Sequence, residues 1–183
     1  ETEPVVGVTV NGVSRAYPLR ILMYHEIVND TLGGQPLFIT YCPLCASGVV
    51  YERTLDGAPL LFGNTSALYN NDMVMVDHRT GSYWHQVTGE AIVGELTGTK
   101  LTTVPAPMVS WSDFKEATPD GLLLSRDTGF GRNYNSAPYG GYDELDNRPF
   151  LFSGQIDSKL PSMERVVGMD WVCSGVAYPF SLF

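Results

Sequence analysis

The chain is short of positive charge, short of cysteine and without any long apolar run, and each shortage removes a class of function. Lys and Arg number 11 against 20 Asp and Glu, for a formal net charge of −9 and a pI near 4.6. An acidic chain with no Lys/Arg cluster is a poor partner for nucleic acid or for an anionic membrane. Three cysteines do not build a disulfide scaffold. No apolar run approaches the roughly 18 residues that a membrane-spanning helix needs. There is no G-x-S-x-G elbow, no H-E-x-x-H pair and no phosphate-binding loop. The numbered chain opens on "ETEPVVGVTVNG", already strand-like, and an export leader is expected to have been removed.

What is present suits a packed β protein. Hydrophobic residues make up 44% of the 183 and charged residues 17%, enough for a core and too little charge for disorder. Nineteen Gly and 12 Pro imply many turns between short elements. Ten Tyr, eight Phe and three Trp favour strands. The expected fold is mainly β (a β-rich α+β class), one compact domain over residues 1–183 with two short helices.

The two ends of the chain repeat each other. "VVGVTVNGVSRAYPLRIL" (5–22) and "VVGMDWVCSGVAYPFSLF" (166–183) both read Val-Val-Gly, eight residues, then Ala-Tyr-Pro. In the first copy the alternation in "VGVTV" and the Asn11-Gly12 turn spell a β-hairpin. The second copy reads the same way, with Ser174-Gly175 near its turn.

After the first hairpin, Leu19, Leu22, Met23 and Ile27 fall at helical spacing behind Pro18, predicting a helix over residues 18–28 that carries His25 and Glu26. Strands follow in "QPLFITYC", "GVVYERT", "APLLFG", "SALYN" and "DMVMVDH", with turns at "LDGAP" and "YNND". "YWHQVTGEAIVGEL" reads as extended. "SWSDFKEATPDG" predicts the second helix, with Ser110 as N-cap, Asp113 three residues on, and Thr118-Pro119 as the stop. "GLLLS" reads as a buried strand. Residues 127–150, rich in Gly, Asn and Tyr, form a long irregular segment of the kind that either carries function or packs on its own tyrosines.

The chemistry turns on "FITYCPLCASGVVY" (38–51), in which Cys42 and Cys45 flank Pro-Leu. Two thiolates at this spacing fit one metal ion. His25 is the expected third ligand, on the element preceding the cysteine-bearing strand, with the thioether of Met75 or Met23 as a fourth. Such a soft set suits copper or zinc. The same pair in an exported protein fits a local disulfide, Cys42 to Cys45. A thioredoxin-type dithiol fits less well, because a strand rather than a helix follows the second cysteine. A thiol enzyme would need Cys42 as nucleophile with His25 and Asp30 as base and orienter. Cys173 stands alone and far away in sequence.

The runs "AYPLRIL", "HEIVNDTLGG", "TYCPLCASGVVYER", "TGEAIVGELTGTKL", "DTGFGRNY", "PYGGYD" and "MERVVG" together resemble the bacterial and archaeal domain of unknown function 3179 family. The resemblance runs in order along nearly the whole chain. It implies no established activity. It does imply an exported protein, extracellular or attached to the cell envelope. The family's recurring polar and thiol positions are matched at His25, Glu26, Asn29, Asp30, Cys42, Cys45, Asp77 and Glu90. His78, His85 and Cys173 depart from the family pattern.

Two N-glycosylation triplets, at Asn29 and Asn64, would carry glycans in an exported protein of a glycosylating organism. Strand-like ends without charged tails expose edges, and edges pair with other chains. Self-association through such edges, forming a filament or surface array with structural cysteines, is the alternative to a metal-binding role. A thiol-dependent enzyme is the third reading, and a non-enzymatic binding or structural role is the first.

Overall fold

The structure is a computed structural model; it describes residues 2–182 except Val172 and Cys173, and gives backbone only for Asp170 and Trp171. The distant Cys173 therefore lies outside the described residues. The chain forms two compact units, Glu1–Tyr139 and Gly140–Phe183.

The first unit holds β1 (Pro4–Val10), β2 (Val13–Pro18), α1 (Leu19–His25), β3 (Ile27–Leu32), β4 (Gln35–Cys42), β5 (Ser47–Glu52), β6 (Thr54–Leu55) and β7 (Ala58–Pro59). It continues with β8 (Phe62–Tyr69), β9 (Asp72–Asp77), β10 (Tyr83–His85), β11 (Glu90–Val93), β12 (Thr103–Val104), β13 (Met108–Ser110), α2 (Trp111–Ala117) and β14 (Leu122–Leu123). The second unit contains β15 (Val166–Trp171), β16 (Ser174–Pro179) and a 3-10 turn, Phe180–Leu182. The protein is mainly β, with two short α-helices, as its composition implies. No described helix is long and apolar enough to cross a membrane.

Three four-stranded sheets, in the orders β13-β1-β2-β14, β12-β5-β4-β3 and β11-β10-β9-β8, and the small β6-β7 pair make up the first unit. Strand alternation decides how they stack. Successive side chains of a strand point to opposite faces, and β4 is buried on both. Leu37, Ile39 and Tyr41 turn to one side, where they join Val6, Val8, Val10 and Tyr17 of the first hairpin and Leu19 and Leu22 of α1. Phe38 and Cys42 turn to the other, where they join Phe62, Met73, Met75 and Trp84. The β4–β5 sheet is thus the middle layer between two apolar clusters. In the second cluster Phe38 and Phe62 stack with centroids 4.1 Å apart, and Trp84 meets Phe62 edge-on at 5.6 Å.

The first helix ends earlier than its periodicity predicts. Glu26 takes a left-handed conformation (φ 59°) at the C-cap, its amide bonding Leu22 O at 2.6 Å. Residues 27–32, expected to continue the helix as far as 28, form β3 instead. Ile27, Val28 and Thr31 are β-branched, and Gly33 and Gly34, both at positive φ, close a two-residue hairpin onto β4. The second helix forms where the capping pattern places it, with Ser110 Oγ accepting from the Asp113 amide at 3.1 Å. "APLLFG" and "SALYN", read as separate strands, contribute to one strand, β8, with a register shift between Asn64 and Ala67. "GLLLS" gives an exposed edge strand rather than a buried one: Leu122 and Leu123 are 46% and 50% exposed. The end repeat is real in structure, since β1–β2 and β15–β16 are both antiparallel hairpins.

Most of the polar positions matched to the family are structural here. Asn29 bridges β3 to β8, its Nδ2 donating to Phe62 O (2.8 Å) and its Oδ1 accepting from Phe62 N (2.9 Å). Asp30 accepts from Arg15 and from Tyr17 Oη, the latter at 2.7 Å. Asp77 is fully buried and accepts from Trp84 Nε1 (3.0 Å), the Thr80 hydroxyl, and the amides of Arg79 and Thr80. Burial alone would raise the Asp77 carboxyl; these donors hold it below the usual carboxylate range instead.

Replacing Asp77 by Ala would orphan the buried Trp84 N–H and the turn amides, and is expected to cost about 3 kcal/mol of stability. The depressed carboxyl contributes its stabilisation above its unfolded pKa of about 4 and loses it as pH falls through the lower folded value. Denaturant titrations stepped below about pH 4 should therefore show a steeper loss for the wild type than for Asp77→Asn; parallel curves would contradict the assignment.

Candidate functional site

Three hairpin turns meet at one end of the middle and outer layers. The β4–β5 turn runs from Cys42 to its ladder partner Ser47 through Pro43, Leu44, Cys45 and Ala46, with Ala46 at φ 48°. The β8–β9 turn is the pair Asn70-Asn71, both at positive φ, a two-residue loop that Asn tolerates better than most residues. It delivers Asp72 as the first residue of β9. The β10–β11 turn runs from His85 to Glu90 and closes with Gly89 N on His85 O at 2.9 Å. Gly89 (φ +65°) cannot be larger, because a Cβ there would stand 2.4 Å from the Tyr51 ring.

At this junction Cys42 Sγ, Cys45 Sγ and an Asp72 carboxylate oxygen all lie within 4.8 Å of one another. Cys42 and Asp72 are buried, Cys45 is exposed, and both thiols are free. Asp72 Oδ1 is 3.1 Å from Cys45 Sγ. Its Oδ2 accepts from the Val87 amide at 2.9 Å and stands 3.0 Å from His85 Nε2. The His85 nitrogen is buried and close enough for an ion pair, without the alignment of a hydrogen bond. His85 Nδ1 meets Thr88 Oγ1 at 3.1 Å. Behind the sulfurs, Cys45 Sγ contacts Ser47 Oγ (3.0 Å), Ser47 Oγ donates to Gln86 Oε1 (3.0 Å), and Gln86 Nε2 donates to Thr40 Oγ1 (2.8 Å). Asn71 ties the turns together, its Nδ2 donating to Leu44 O at 3.3 Å. Its Oδ1 is buried without a donor.

The two thiols differ. Hydrogen bonding from Cys45, from its thiol and amide, and from the Met73 amide favours the ionised form of Cys42 and brings that thiol down against the opposing effect of burial. Cys45 goes the other way: its bond to Cys42 and the negative charges of Cys42 and Asp72 keep its proton on. Ionisation is thus favoured at the inner sulfur and opposed at the outer one.

The cluster contains both cysteines singled out from the sequence, with Asp72 rather than His25 beside them. His25 ends α1, which packs on the Leu37–Ile39–Tyr41 face of β4, while Cys42 points from the opposite face. The His25 ring instead bonds Tyr134 Oη through Nε2 at 2.5 Å and packs on Phe130, and burial lowers its pKa. Met23 belongs to the same helix-side cluster. Met75 shares the apolar cluster of Cys42, fully buried opposite Trp84. Asp30, held by Arg15 and Tyr17, does not join Cys42 and His25 in a nucleophile–base–orienter set. Asp72 and His85 are the partners that sequence reading missed. The "YNND" turn was legible, yet nothing local says that its last residue, Asp72, faces a turn 27 positions upstream. The amide nitrogens at which the two triplets would be glycosylated are engaged, Asn29 with Phe62 O and Asn64 with Glu26.

Together these features define a β-rich protein with a dithiol–carboxylate cluster set on two turns and backed by a third. The chain belongs to the family described as "Protein of unknown function (DUF3179)", whose model matches residues 1–182. No curated protein and no solved structure matches it.

The negative charge of Asp72 raises both thiols. Asp72→Asn is thus expected to move thiolate formation, followed by ultraviolet absorbance under reducing conditions, to lower pH. An unchanged titration would show that the carboxylate does not act on the sulfurs.

Proposed function

We propose that this chain is a metal-binding protein whose site takes a zinc-like divalent ion between Cys42, Cys45 and Asp72. The observation that carries this reading is the convergence of two sulfurs from the β4–β5 turn and a carboxylate from the end of the β8–β9 turn within 4.8 Å of one another. Zinc bonds of about 2.3 Å to sulfur and 2.0–2.2 Å to oxygen place donor atoms roughly 3.5–4 Å apart, so only a small inward adjustment is needed. A bound cation would also give the buried Asn71 Oδ1 and the Asp72 carboxylate a positive neighbour. The carboxylate favours zinc over copper(I), which thiolates alone would suit. His85 then acts behind Asp72, orienting the carboxylate as outer-shell histidines and carboxylates do for one another. In an exported protein, the location expected from the family resemblance, a bound ion would also protect the adjacent thiols from oxidation to a disulfide.

Because Cys45 retains its proton in the free protein, binding must release it. Calorimetry under reducing conditions near pH 7.5 should show about one ion bound per chain, proton release in buffers of different ionisation enthalpy, and affinity that rises with pH. Cys42→Ser should abolish binding and His85→Ala weaken it roughly 10- to 100-fold, while His25→Ala leaves it unchanged. No uptake of zinc or copper(I), or uptake indifferent to Cys42→Ser, would overturn the proposal.

A further inference from the structure

The second unit has no core. None of its residues with a described side chain is buried. Its hairpin is nevertheless a copy of one that is buried in the first unit, down to the ladder. Val5↔Pro18, Val6↔Tyr17, Gly7↔Ala16 and Val8↔Arg15 in β1–β2 correspond in order to Val166↔Pro179, Val167↔Tyr178, Gly168↔Ala177 and Met169↔Val176 in β15–β16. Val6 and Tyr17 are fully buried, whereas Val167 and Tyr178 are 45% and 43% exposed. Phe180 and Leu182, just beyond, are exposed as well.

We propose that the β15–β16 hairpin is an assembly element that adds by its strand edges to a second copy of this chain. A lone two-stranded hairpin is marginal in water and gains stability from further strands or an apolar cover. Natural edges are guarded by charged side chains, Lys above all. This hairpin has lost its basic guard: where β2 carries Arg15, β16 carries Val176, no Lys or Arg occurs over residues 166–183, and Asp170 is the one charged residue there. Depletion of charge with retained aromatics is the composition of an interface centre.

The second copy is favoured as the occupant because the chain already contains strands matched to this hairpin. In the first unit β13 pairs with the outer edge of β1 and β14 with the outer edge of β2. Those two strands are the ends of their sheet, so each has one side taken by the first hairpin and, among the described residues, no strand paired on the other. Met108 of β13 and Leu122 and Leu123 of β14 are exposed. Every other copy therefore offers two sheet edges with exposed apolar residues to which a further hairpin can add. Donor and acceptor patches differ, so the contact is head-to-tail, and it propagates unless its rotation closes.

Sedimentation of the full chain over a concentration series, joined to amide exchange, tests this. Self-association is expected, with β15–β16 amides protected only at concentrations where assemblies form. Val167→Asp combined with Tyr178→Asp, and separately Leu122→Lys with Leu123→Lys, should each weaken association at least roughly tenfold. All four residues are exposed, so the circular dichroism should stay that of the wild type. A chain that remains monomeric up to millimolar concentration would overturn the proposal. So would hairpin protection independent of concentration, which would mean that the chain covers its own hairpin, or assembly unaffected by the hairpin substitutions.

Discussion

The alternation of β4 is the constraint on which the first unit depends. A strand buried on both faces must send consecutive side chains into different cores. Here Leu37, Ile39 and Tyr41 commit one face to the first hairpin and α1, and Phe38 and Cys42 commit the other to the β8–β11 sheet. A one-residue slip would exchange the two sets and put Cys42 against the helix layer. The paired Gly33-Gly34 turn fixes the register from one end, and the Cys42↔Ser47 pair fixes it at the other. The chemistry of the site is therefore a consequence of strand parity: the inner sulfur faces β9 because Phe38 does.

That parity also explains which parts of the protein could be read in advance. Local signals succeeded where the interaction is local. Ser110 caps α2 through the Asp113 amide three residues away, and the hairpin repeat keeps its register in both copies. The C-x-x-C turn lies where its flanking strands place it. Failures came where the decision is made across layers. The helical spacing of Leu19, Leu22, Met23 and Ile27 gave no sign that Glu26 would turn left-handed and start β3. Proximity in sequence suggested His25 for the cysteines, but adjacent elements can lie on opposite sides of one strand. Asp72 was invisible because its meeting with Cys45 depends on how two sheets stack.

The site is a compromise in which polar groups are held at a sheet end beside an apolar cluster. Buried polar groups need partners, and here most find them in a chain from Thr40 through Gln86 and Ser47 to Cys45 and Asp72. Such a network fixes side-chain directions before any ligand arrives, which lowers the ordering cost of binding. The unsatisfied atoms are as informative as the satisfied ones. Asn71 Oδ1 and His85 Nε2 remain without hydrogen bonds although their residues are positioned by several. Left-handed Ala46, Asn70 and Asn71 cluster in the same two turns. Strained backbone and unpaired polar atoms in one place cost stability, and a site that gains a cation can offset both.

The two units pose opposite versions of the same problem. In the first, a Val-Val-Gly and Ala-Tyr-Pro hairpin sits between β13 and β14 and buries its side chains against β4. In the second, the same pattern has Val176 in place of Arg15 and leaves Val167 and Tyr178 exposed. Hydrophobic burial is the dominant favourable term in folding, so a copy that kept its apolar residues and has Val176 in place of Arg15 is suited to burial rather than to solvent. A repeat of this kind gives one chain two copies of a hairpin, one covered by its own sheet and one left exposed. The dithiol–carboxylate cluster and the apolar hairpin belong to different units, so substitutions in one can leave the other intact.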